Sequence, residues 1–337
     1  MFARANGPLV EGFVFSFCLH GAELMRPDFA TECWFLSGPT ASGKTSIGVV
    51  LAGRVGGEIL SMDSMAVYRG MDVGTAKPTE TDRGGVAHHL IDIADPCDPF
   101  SLADYLDAAA ERVRRMEAEG KTALFVGGTP LYLKALLRGV FDGPPADWDL
   151  RNRLMEEAAS ASGLFLYERL KETDPESAAR LHPNDARRLI RAIEVFEKTG
   201  RPISALQRQF ETARPRDACR VFVLDWNRDA LYRRIDRRVE EMLAAGLVEE
   251  VRRLLAGPRP PGRTALQAVG YREVVEHLQR GTTRFEMVEA IKRNTRRFAK
   301  RQLTWFRGLD ECRFIPVNEA DTHDDVVERI LAQVDTP

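Results

Sequence analysis

The sequence predicts an α/β protein with a P-loop-containing parallel sheet core, helices on both faces of the sheet, and an all-helical insertion domain. Three observations lead to this fold class. Short apolar, β-prone runs alternate with helical stretches, as in parallel sheets covered on both faces. A glycine-rich loop follows the first apolar run and precedes a helix. Two consecutive prolines, Pro144 and Pro145, break the alternation, and a charged helical stretch follows them.

Length and composition set the limits for this fold. The chain has 337 residues, of which 44% are hydrophobic, and this is enough for one large domain or two smaller ones. The formal net charge of -2 does not by itself indicate a nucleic-acid-binding protein. However, residues 1–150 carry a net charge of -7 and residues 151–337 a net charge of +5. We therefore expect a polyanionic partner to bind the second half.

The cysteines and the N-terminal residues indicate the cellular compartment of the protein. The five cysteines are odd in number and never form a Cys-x-x-Cys pair, which argues against a disulfide scaffold or a zinc site and fits a reducing cytoplasm. No apolar run approaches the roughly 20 residues that span a bilayer, so no membrane partner is expected. Residues 1–32 are predicted to be a poorly defined extension, with Met25 as an alternative start. The apolar run at 12–19 is too short, and lacks the cleavage site, for a good signal peptide.

The first half of the chain alternates strands and helices. Strands are predicted at 33–36, 58–62 and 122–126, and helices at 45–55 and 100–119, where Ser101 caps the second helix. Because parallel strands end at one edge of a sheet, the loops after residues 36, 62 and 126 should converge there and form the ligand site.

The second half begins with a predicted helical insertion over residues 142–209. The catalytic core is accordingly predicted to comprise residues 33–141 and 210–337. Its later elements are predicted as strands at 221–224 and 313–317 and helices at 228–245, 247–256, 266–279, 284–307 and 324–334.

The glycine-rich loop fits the phosphate-loop pattern G-x-x-x-x-G-K-[ST], which is typical of nucleotide-binding and ATP-binding proteins. Its residues are Gly38, Pro39, Thr40, Ala41, Ser42, Gly43, Lys44 and Thr45. Backbone N–H groups and Lys44 would bind a polyphosphate, and Thr45 would bind Mg²⁺. The third strand ends in Gly127-Gly128-Thr129 without a metal-supporting carboxylate, which weakens a plain ATPase interpretation. The loop could instead hold a departing diphosphate, with Thr129 on its opposite side.

Asp63 ends the second predicted strand, where an acceptor would meet the phosphate site. Two interpretations stay open from the residues alone. Asp63 could take a proton from a nucleophile as a general base, or it could simply cap the turn that follows.

A long basic helix is predicted near the C-terminus, over residues 284–307. Ile291, Phe298 and Trp305 mark its predicted inward stripe. Its cations are Lys292, Arg293, Arg296, Arg297, Lys300, Arg301 and Arg307. The insertion repeats the pattern with Arg187, Arg188 and Arg191. Such runs are either solvated faces or phosphate contacts, and the positive charge of this half of the chain favours phosphate contacts.

Together these residues resemble the tRNA dimethylallyltransferase family of bacterial type. The matching blocks are GPTASGKT at 38–45, DSM with VYRGMDVGTAKP at 63–78, GGTPLYLKAL at 127–136, HPNDARRLIRAIEVFEKTGRP at 182–202, LYRRIDRRVEEMLAAGL at 231–247, ALQAVGYRE at 265–273 and TRRFAKRQLTWFR at 295–307. The resemblance covers roughly residues 33–317. Ala66 stands where many members of the family carry another side chain.

The resemblance implies an activity: transfer of a dimethylallyl group from dimethylallyl diphosphate to N6 of the adenosine 3′-adjacent to the anticodon in tRNAs reading codons that begin with U. The phosphate loop would bind the diphosphate with Mg²⁺ at Thr45, without consuming ATP. Asp63 would be the general base, with Thr129, Lys44 and Arg296 at the reaction centre. The implied enzyme is a cytoplasmic monomer.

The resemblance also implies that the insertion grips the tRNA anticodon stem-loop. The implied tRNA-binding residues are Asp63, Ser64, Met65, Ala66, Thr129, Arg151, Arg187, Arg188, Leu189, Ile190, Arg191, Gln267, Ala268, Val269, Gly270, Tyr271 and Arg272. Gln267 could read the edge of the target base once that base has left its stack.

Three rival functions are compatible with parts of this pattern. A small-molecule or nucleoside kinase would use the same phosphate loop, but it would need neither the insertion nor the basic helices. An isopentenyltransferase acting on free adenine nucleotides would need no RNA grip. A tRNA-binding module without catalysis would not need Lys44, Thr45 and Asp63.

Overall fold

The computed structural model describes residues 28–141, 143–161, 163–207 and 213–334. Six parallel strands form one sheet in the order β3-β2-β4-β1-β5-β6. The strands are β1 (Trp34–Ser37), β2 (Gly57–Ser61), β3 (His88–His89), β4 (Thr122–Val126), β5 (Arg220–Trp226) and β6 (Arg313–Val317). β1 lies between β4 and β5, so the chain leaves it toward one side of the sheet and returns on the other. Crevices at such reversals are the usual ligand sites of open α/β sheets.

Helices connect the strands and cover the sheet. The core helices are α1 (Lys44–Val55), α2 (Glu80–Arg83), α3 (Leu102–Ala118), α4 (Pro130–Arg138), α10 (Arg228–Ala244), α11 (Leu247–Leu255), α12 (Arg263–Leu266), α13 (Tyr271–Arg280), α14 (Arg284–Arg307) and α15 (His323–Ala332). Between α4 and β5 lie α5 (Trp148–Ser160), α6 (Phe165–Thr173), α7 (Pro175–Arg180), α8 (Ala186–Thr199) and α9 (Ile203–Leu206). Among the helices of the described residues, none is both long and apolar enough to cross a bilayer.

Side chains alternate between the two faces of the sheet and build two apolar clusters. Phe35, Phe125 and Val221 pack with α3, α4 and α13 on one face. Leu36 and Phe222 pack with α1, α10 and α15 on the other. The strands are apolar on both sides because both faces are covered, as expected for a parallel sheet. This confirms the predicted fold class.

The helices α5 to α9 have an apolar cluster of their own, built around Leu154, Leu170, Leu189 and Ile193. A carboxylate lies at the edge of this cluster. Glu194 is fully buried and accepts hydrogen bonds from Arg151 Nε and Nη2 at 2.8 and 2.7 Å and from Arg191 Nη1 at 2.5 Å. Burial alone would raise the pKa of Glu194, but these two arginines and the Asp147 N–H lower it.

Most predicted elements agree with the structure to within two residues, and Ser101 caps α3 in a capping box as expected. Three differences have physical reasons. The two-residue strand β3 and the nine-residue helix α4 are too short for a clear periodic signal. The helix predicted at 266–279 begins at Tyr271, after a break at Gly270. The extension predicted at residues 1–32 lies outside the described residues up to residue 27, and residues 28–31 form a 3₁₀ turn.

The inward face of α14 differs from the predicted stripe. Ile291 is buried, but Phe298 is only half-buried and Trp305 is 40% exposed. The buried face instead carries Met287, Ile291, Ala299, Gln302 and Phe306. A step of seven residues falls about 20° short of two helical turns, so a straight sevenfold stripe rotates away from the core along a long helix.

Candidate active site

One cavity of about 920 Å³ lies at the carboxyl edge of the sheet. The loops after β1, β2 and β4 all line it, which confirms the predicted convergence. The phosphate loop forms one wall, and Asp63 with Thr129 forms another. Residues from α10, α14 and the segment before α13 close the remaining sides.

The phosphate loop is held through its carbonyl oxygens. Lys44 Nζ donates to Pro39 O at 2.7 Å, and Arg234 Nε donates to Ala41 O at 2.8 Å. Trp226 Nε1 donates to Ser42 O at 2.9 Å. Among the described residues, no side chain caps α1, which begins directly after Gly43. The N–H groups at this helix N-terminus are therefore available to an anion, as the sequence pattern predicts.

The charged form of Lys44 is disfavoured at this position. Burial and the nearby charge of Arg238 lower the pKa of Lys44 to about 7, while the carboxylate of Asp63 opposes that shift. Both side chains line the same cavity, so a polyanion bound there would offset their repulsion and raise the pKa of Lys44 again.

Arg238 is a site residue that the sequence analysis did not assign. Its side chain lines the cavity, and its Nε is buried without a hydrogen-bond partner among the described residues. Burial lowers the pKa of Arg238, but an arginine stays charged at neutral pH. A buried guanidinium with an unused donor is costly unless an anion binds there. The helical pattern of the sequence could have indicated this position, because Arg238 lies between the buried Ile235 and Val239 on the inner face of α10.

Asp63 and Thr129 form a second wall of the cavity. Asp63 Oδ1 accepts hydrogen bonds from the N–H groups of Met65 at 2.8 Å and Ala66 at 3.3 Å. The turn-cap interpretation is thus confirmed for this oxygen. In the part of the chain that the structure describes, Oδ2 has no hydrogen-bond partner, and it is the oxygen left for chemistry. Thr129 Oγ1 accepts a hydrogen bond from the Ser64 N–H at 3.0 Å. This bond holds Thr129 beside the residue that follows Asp63.

The loop after Asp63 is anchored by a buried carboxylate. Glu250 Oε2 accepts from the N–H groups of Asp72 and Val73, and Oε1 accepts from the Gly74 N–H and the Tyr271 hydroxyl. Tyr271 is 1% exposed and does not line the cavity. In this structure Tyr271 holds the wall of the site in place through Glu250, and its predicted contact with RNA stays a prediction.

Arg296, which the resemblance implies at the reaction centre, pairs with an aspartate in this structure. Its Nε donates to Asp236 Oδ1 at 2.9 Å, its guanidinium also pairs with Asp236 Oδ2, and the side chain lies over the Tyr232 ring. Arg296 is absent from the cavity wall, whereas Arg297 and Arg301 line it. One residue along a helix turns the side chain by about 100°, so the choice between Arg296 and Arg297 depends on the phase of α14. Arg238, by contrast, lines the cavity together with Lys44, and the role implied for Arg296 stays a prediction.

The predicted RNA contacts divide into four groups. Arg187 on α8 and the cavity-lining residues Ser64, Met65, Ala66, Gln267, Ala268, Val269, Gly270 and Arg272 surround the cavity. Arg188 is exposed beside Asp185. Leu189 and Ile190 are 0% and 5% exposed in the cluster of the insertion, so their side chains pack in its core, and their predicted RNA contact stays a prediction. Arg151 and Arg191 are committed to the buried Glu194.

The fold and this cavity define a class of protein: a P-loop α/β protein in which the phosphate loop, the carboxylate of Asp63 and Arg187 of the helical segment line one cavity. A family model described as IPP transferase matches residues 66–309. The chain belongs to this family and is therefore an enzyme, a prenyltransferase.

Individual relatives agree with this assignment. The chain is 47% identical over 300 residues to the tRNA dimethylallyltransferase of Syntrophobacter fumaroxidans, covering 88% of this chain and 86% of the relative. It is 46% identical over 288 residues to that of Pelotomaculum thermopropionicum, covering 85% and 91%. Among solved structures, the tRNA isopentenylpyrophosphate transferase of Bacillus halodurans is 38% identical with a TM-score of 0.65, covering 90% of this chain and 95% of that one.

Proposed function

We propose that this enzyme transfers a dimethylallyl group from dimethylallyl diphosphate to N6 of the adenosine 3′-adjacent to the anticodon in tRNAs reading codons that begin with U. The products are N6-dimethylallyladenosine and diphosphate. The observation that carries the proposal is the pairing of a cationic phosphate loop with Asp63 and Thr129 across one cavity. This arrangement suits a reaction in which an anion leaves on one side and a proton leaves on the other.

The reaction breaks the bond between C1 of the dimethylallyl group and its diphosphate oxygen. Lys44, Arg238 and the N-terminal N–H groups of α1 stabilise the negative charge that develops on the diphosphate. The adenosine N6 forms the new bond to C1, and Asp63 Oδ2 accepts the proton that N6 loses. The exocyclic amine is a weak nucleophile, so stabilising the leaving group is the larger task.

The residues present fit a Mg²⁺ ion bound mainly through the diphosphate. Thr45 follows Lys44 in the cavity wall and can supply a hydroxyl ligand. Within residues 28–141, 143–161, 163–207 and 213–334, no cluster of three His, Cys, Asp or Glu side chains could hold a metal by itself. Mg²⁺ commonly binds with few protein ligands, several waters and substrate phosphates. When bound, the ion would neutralise diphosphate charge.

We further propose that residues 142–209 form the domain that grips the tRNA anticodon stem-loop, attached to a core of residues 33–141 and 210–337. Arg187 supports this role because it reaches the cavity wall from α8.

We also propose that the enzyme is a cytoplasmic monomer. A reducing compartment fits the free thiols of four described cysteines, Cys33, Cys97, Cys219 and Cys312.

The role of Arg187 predicts a change in salt dependence. Replacing Arg187 and Arg188 by Ala should weaken tRNA binding and flatten the slope of log affinity against log salt by roughly 0.7 to 0.9 for each phosphate that is no longer neutralised. Lys171→Ala is a matched control, because Lys171 pairs with Glu168 on α6 and is absent from the cavity wall. An unchanged slope in the double variant would remove both arginines from the RNA interface.

The lowered pKa of Lys44 predicts proton uptake when an anion binds. At pH 8 the empty site holds Lys44 mostly neutral, and a bound diphosphate should raise its pKa again, so the parent should take up more protons on binding than Lys44→Met does. Affinity for inorganic diphosphate should consequently fall as the pH rises above about 7. Calorimetry in buffers of different ionisation enthalpy measures this uptake. Equal uptake in the parent and in Lys44→Met would contradict the assignment.

The proposed function is tested by offering labelled dimethylallyl diphosphate to three acceptors: tRNA, AMP, and a small nucleoside with ATP present. We expect label in tRNA only. Label in AMP would favour an enzyme acting on free nucleotides, phosphate transfer to the nucleoside would favour a kinase, and binding of tRNA without transfer would leave only a binding module.

A further inference from the structure

Gln302 joins two walls of the cavity. It lies on α14 and is only 4% exposed. Its Oε1 accepts a hydrogen bond from the Thr40 N–H in the phosphate loop at 2.9 Å. Its Nε2 donates to Gly128 O, in the turn that leads to Thr129, at 2.5 Å. One side-chain amide thus connects the loops after β1 and β4.

The turn at Gly128 is packed tightly around this amide. A Cβ atom on Gly128 would lie 2.7 Å from Gln302 Nε2 and 3.4 Å from Lys44 Nζ. The lysine that faces the leaving group, the backbone that leads to Thr129, and the Gln302 amide therefore meet at one point. The preceding residue, Gly127, is tied to β1 through a hydrogen bond from Ser37 Oγ at 2.8 Å.

The chemistry of the amide matches this position. The two contacts require an acceptor and a donor on one side chain, and Gln supplies both. The rest of the buried face of α14 is apolar: Met287, Ile291, Ala299 and Phe306. A polar residue on such a face is costly unless both of its groups are bonded, and both are.

We propose that Gln302 is a positioning residue for the transfer reaction. It fixes the separation between the phosphate loop, which holds the diphosphate, and the Gly128 turn, which carries Thr129 beside Asp63. The inference rests on the proposed function, because it assumes that the diphosphate and the accepting amine react across this gap. A displacement of about 1 Å between reacting groups can cost roughly a hundredfold in rate.

Two substitutions test the proposal. Gln302→Met keeps the length of the side chain but removes both hydrogen bonds, and it should lower kcat by roughly 10- to 100-fold. The dissociation constants for inorganic diphosphate and for tRNA should change by less than about threefold, because Lys44, Arg238 and the exposed arginines remain. Thr304→Val is the matched control, since Thr304 is exposed and, among the residues that the structure describes, bonds only to Lys300 O on the same helix.

Gln302→Glu distinguishes a positioning role from a merely structural one, because only a positioning role makes the loss of kcat depend on pH. The introduced carboxylate still accepts from Thr40, but its other oxygen faces Gly128 O and repels it. Protonation restores a donor to Gly128, so the ratio of variant to parent kcat should rise at least about fivefold between pH 8 and pH 6.

Several outcomes overturn the inference. They are a kcat of Gln302→Met within twofold of the parent, a loss confined to diphosphate affinity, or a variant-to-parent ratio for Gln302→Glu that does not change with pH. Thermal melts show whether each variant is folded. If Gln302→Met does not fold, the pH dependence of kcat for Gln302→Glu still tests the inference. A parent enzyme that transfers no dimethylallyl group would instead refute the proposed function.

Discussion

Asp63→Asn is expected to lower the single-turnover rate of transfer to tRNA by roughly 10²- to 10⁴-fold. Asp63 Oδ1 caps the turn through the N–H groups of Met65 and Ala66, and the side-chain oxygen of Asn can accept the same bonds. The other oxygen becomes an amide NH₂ group, which cannot accept a proton. The substitution therefore preserves the wall of the site and removes only its basicity.

This result separates the two roles of Asp63. Binding of tRNA should change little, because the base acts chiefly in the transition state. Asp82→Asn serves as the control, since Asp82 is an exposed capping carboxylate of α2. A rate within about threefold of the parent, with both substrates saturating, would show that Asp63 is only a turn cap.

Arg238→Met is expected to lower the same rate by roughly 10²- to 10³-fold, the usual loss when one donor to a developing anion is removed. The pKa of Lys44 should also rise, because Arg238 is one of the two causes that lower it. Affinity for inorganic diphosphate should fall, whereas affinity for tRNA should change less. Quench-flow kinetics and calorimetry measure these effects.

The neighbouring Arg237 provides a matched control for this prediction. It is exposed and does not line the cavity, so Arg237→Met makes the same change of charge on the same helix. If the two variants lose equal activity, the effect reflects net charge. If Arg238→Met retains the parental rate, Arg238 does not stabilise the leaving group. The buried Nε of Arg238, which has no hydrogen-bond partner among the described residues, then needs another explanation.

The strands and the phosphate loop could be predicted from the sequence because their signals are local. An apolar run followed by glycines, Lys44 and Thr45 specifies both a strand-loop-helix unit and an anion site. Asp63 could be placed at the site because parallel strands end at a common edge. Both interpretations of Asp63 left open by the sequence have support in the geometry, because the carboxylate has two oxygens and only one of them caps the turn.

Side-chain phase on long helices could not be predicted in the same way. Arg296 and Arg297 are adjacent in the same basic run, and only the packing of α14 shows that the first pairs with Asp236 while the second lines the cavity. The same limit explains Leu189 and Ile190, which lie beside exposed arginines in sequence but face the core of the insertion. Arg238 could have been found from its position beside Ile235 and Val239 on the inner face of α10, but Gln302 bonds to segments far away in sequence, and no local pattern marks those contacts.

The central claim is that the phosphate loop holds a diphosphate that leaves as a prenyl group passes to tRNA. It is tested most directly with dimethylallyl diphosphate labelled separately in the prenyl group and in the diphosphate, supplied with tRNA and Mg²⁺ but no nucleotide. We expect one intact diphosphate released for each dimethylallyl group on tRNA, with the group on N6 of the adenosine 3′-adjacent to the anticodon. A requirement for ATP, or release of labelled diphosphate without a modified adenosine, would contradict the account.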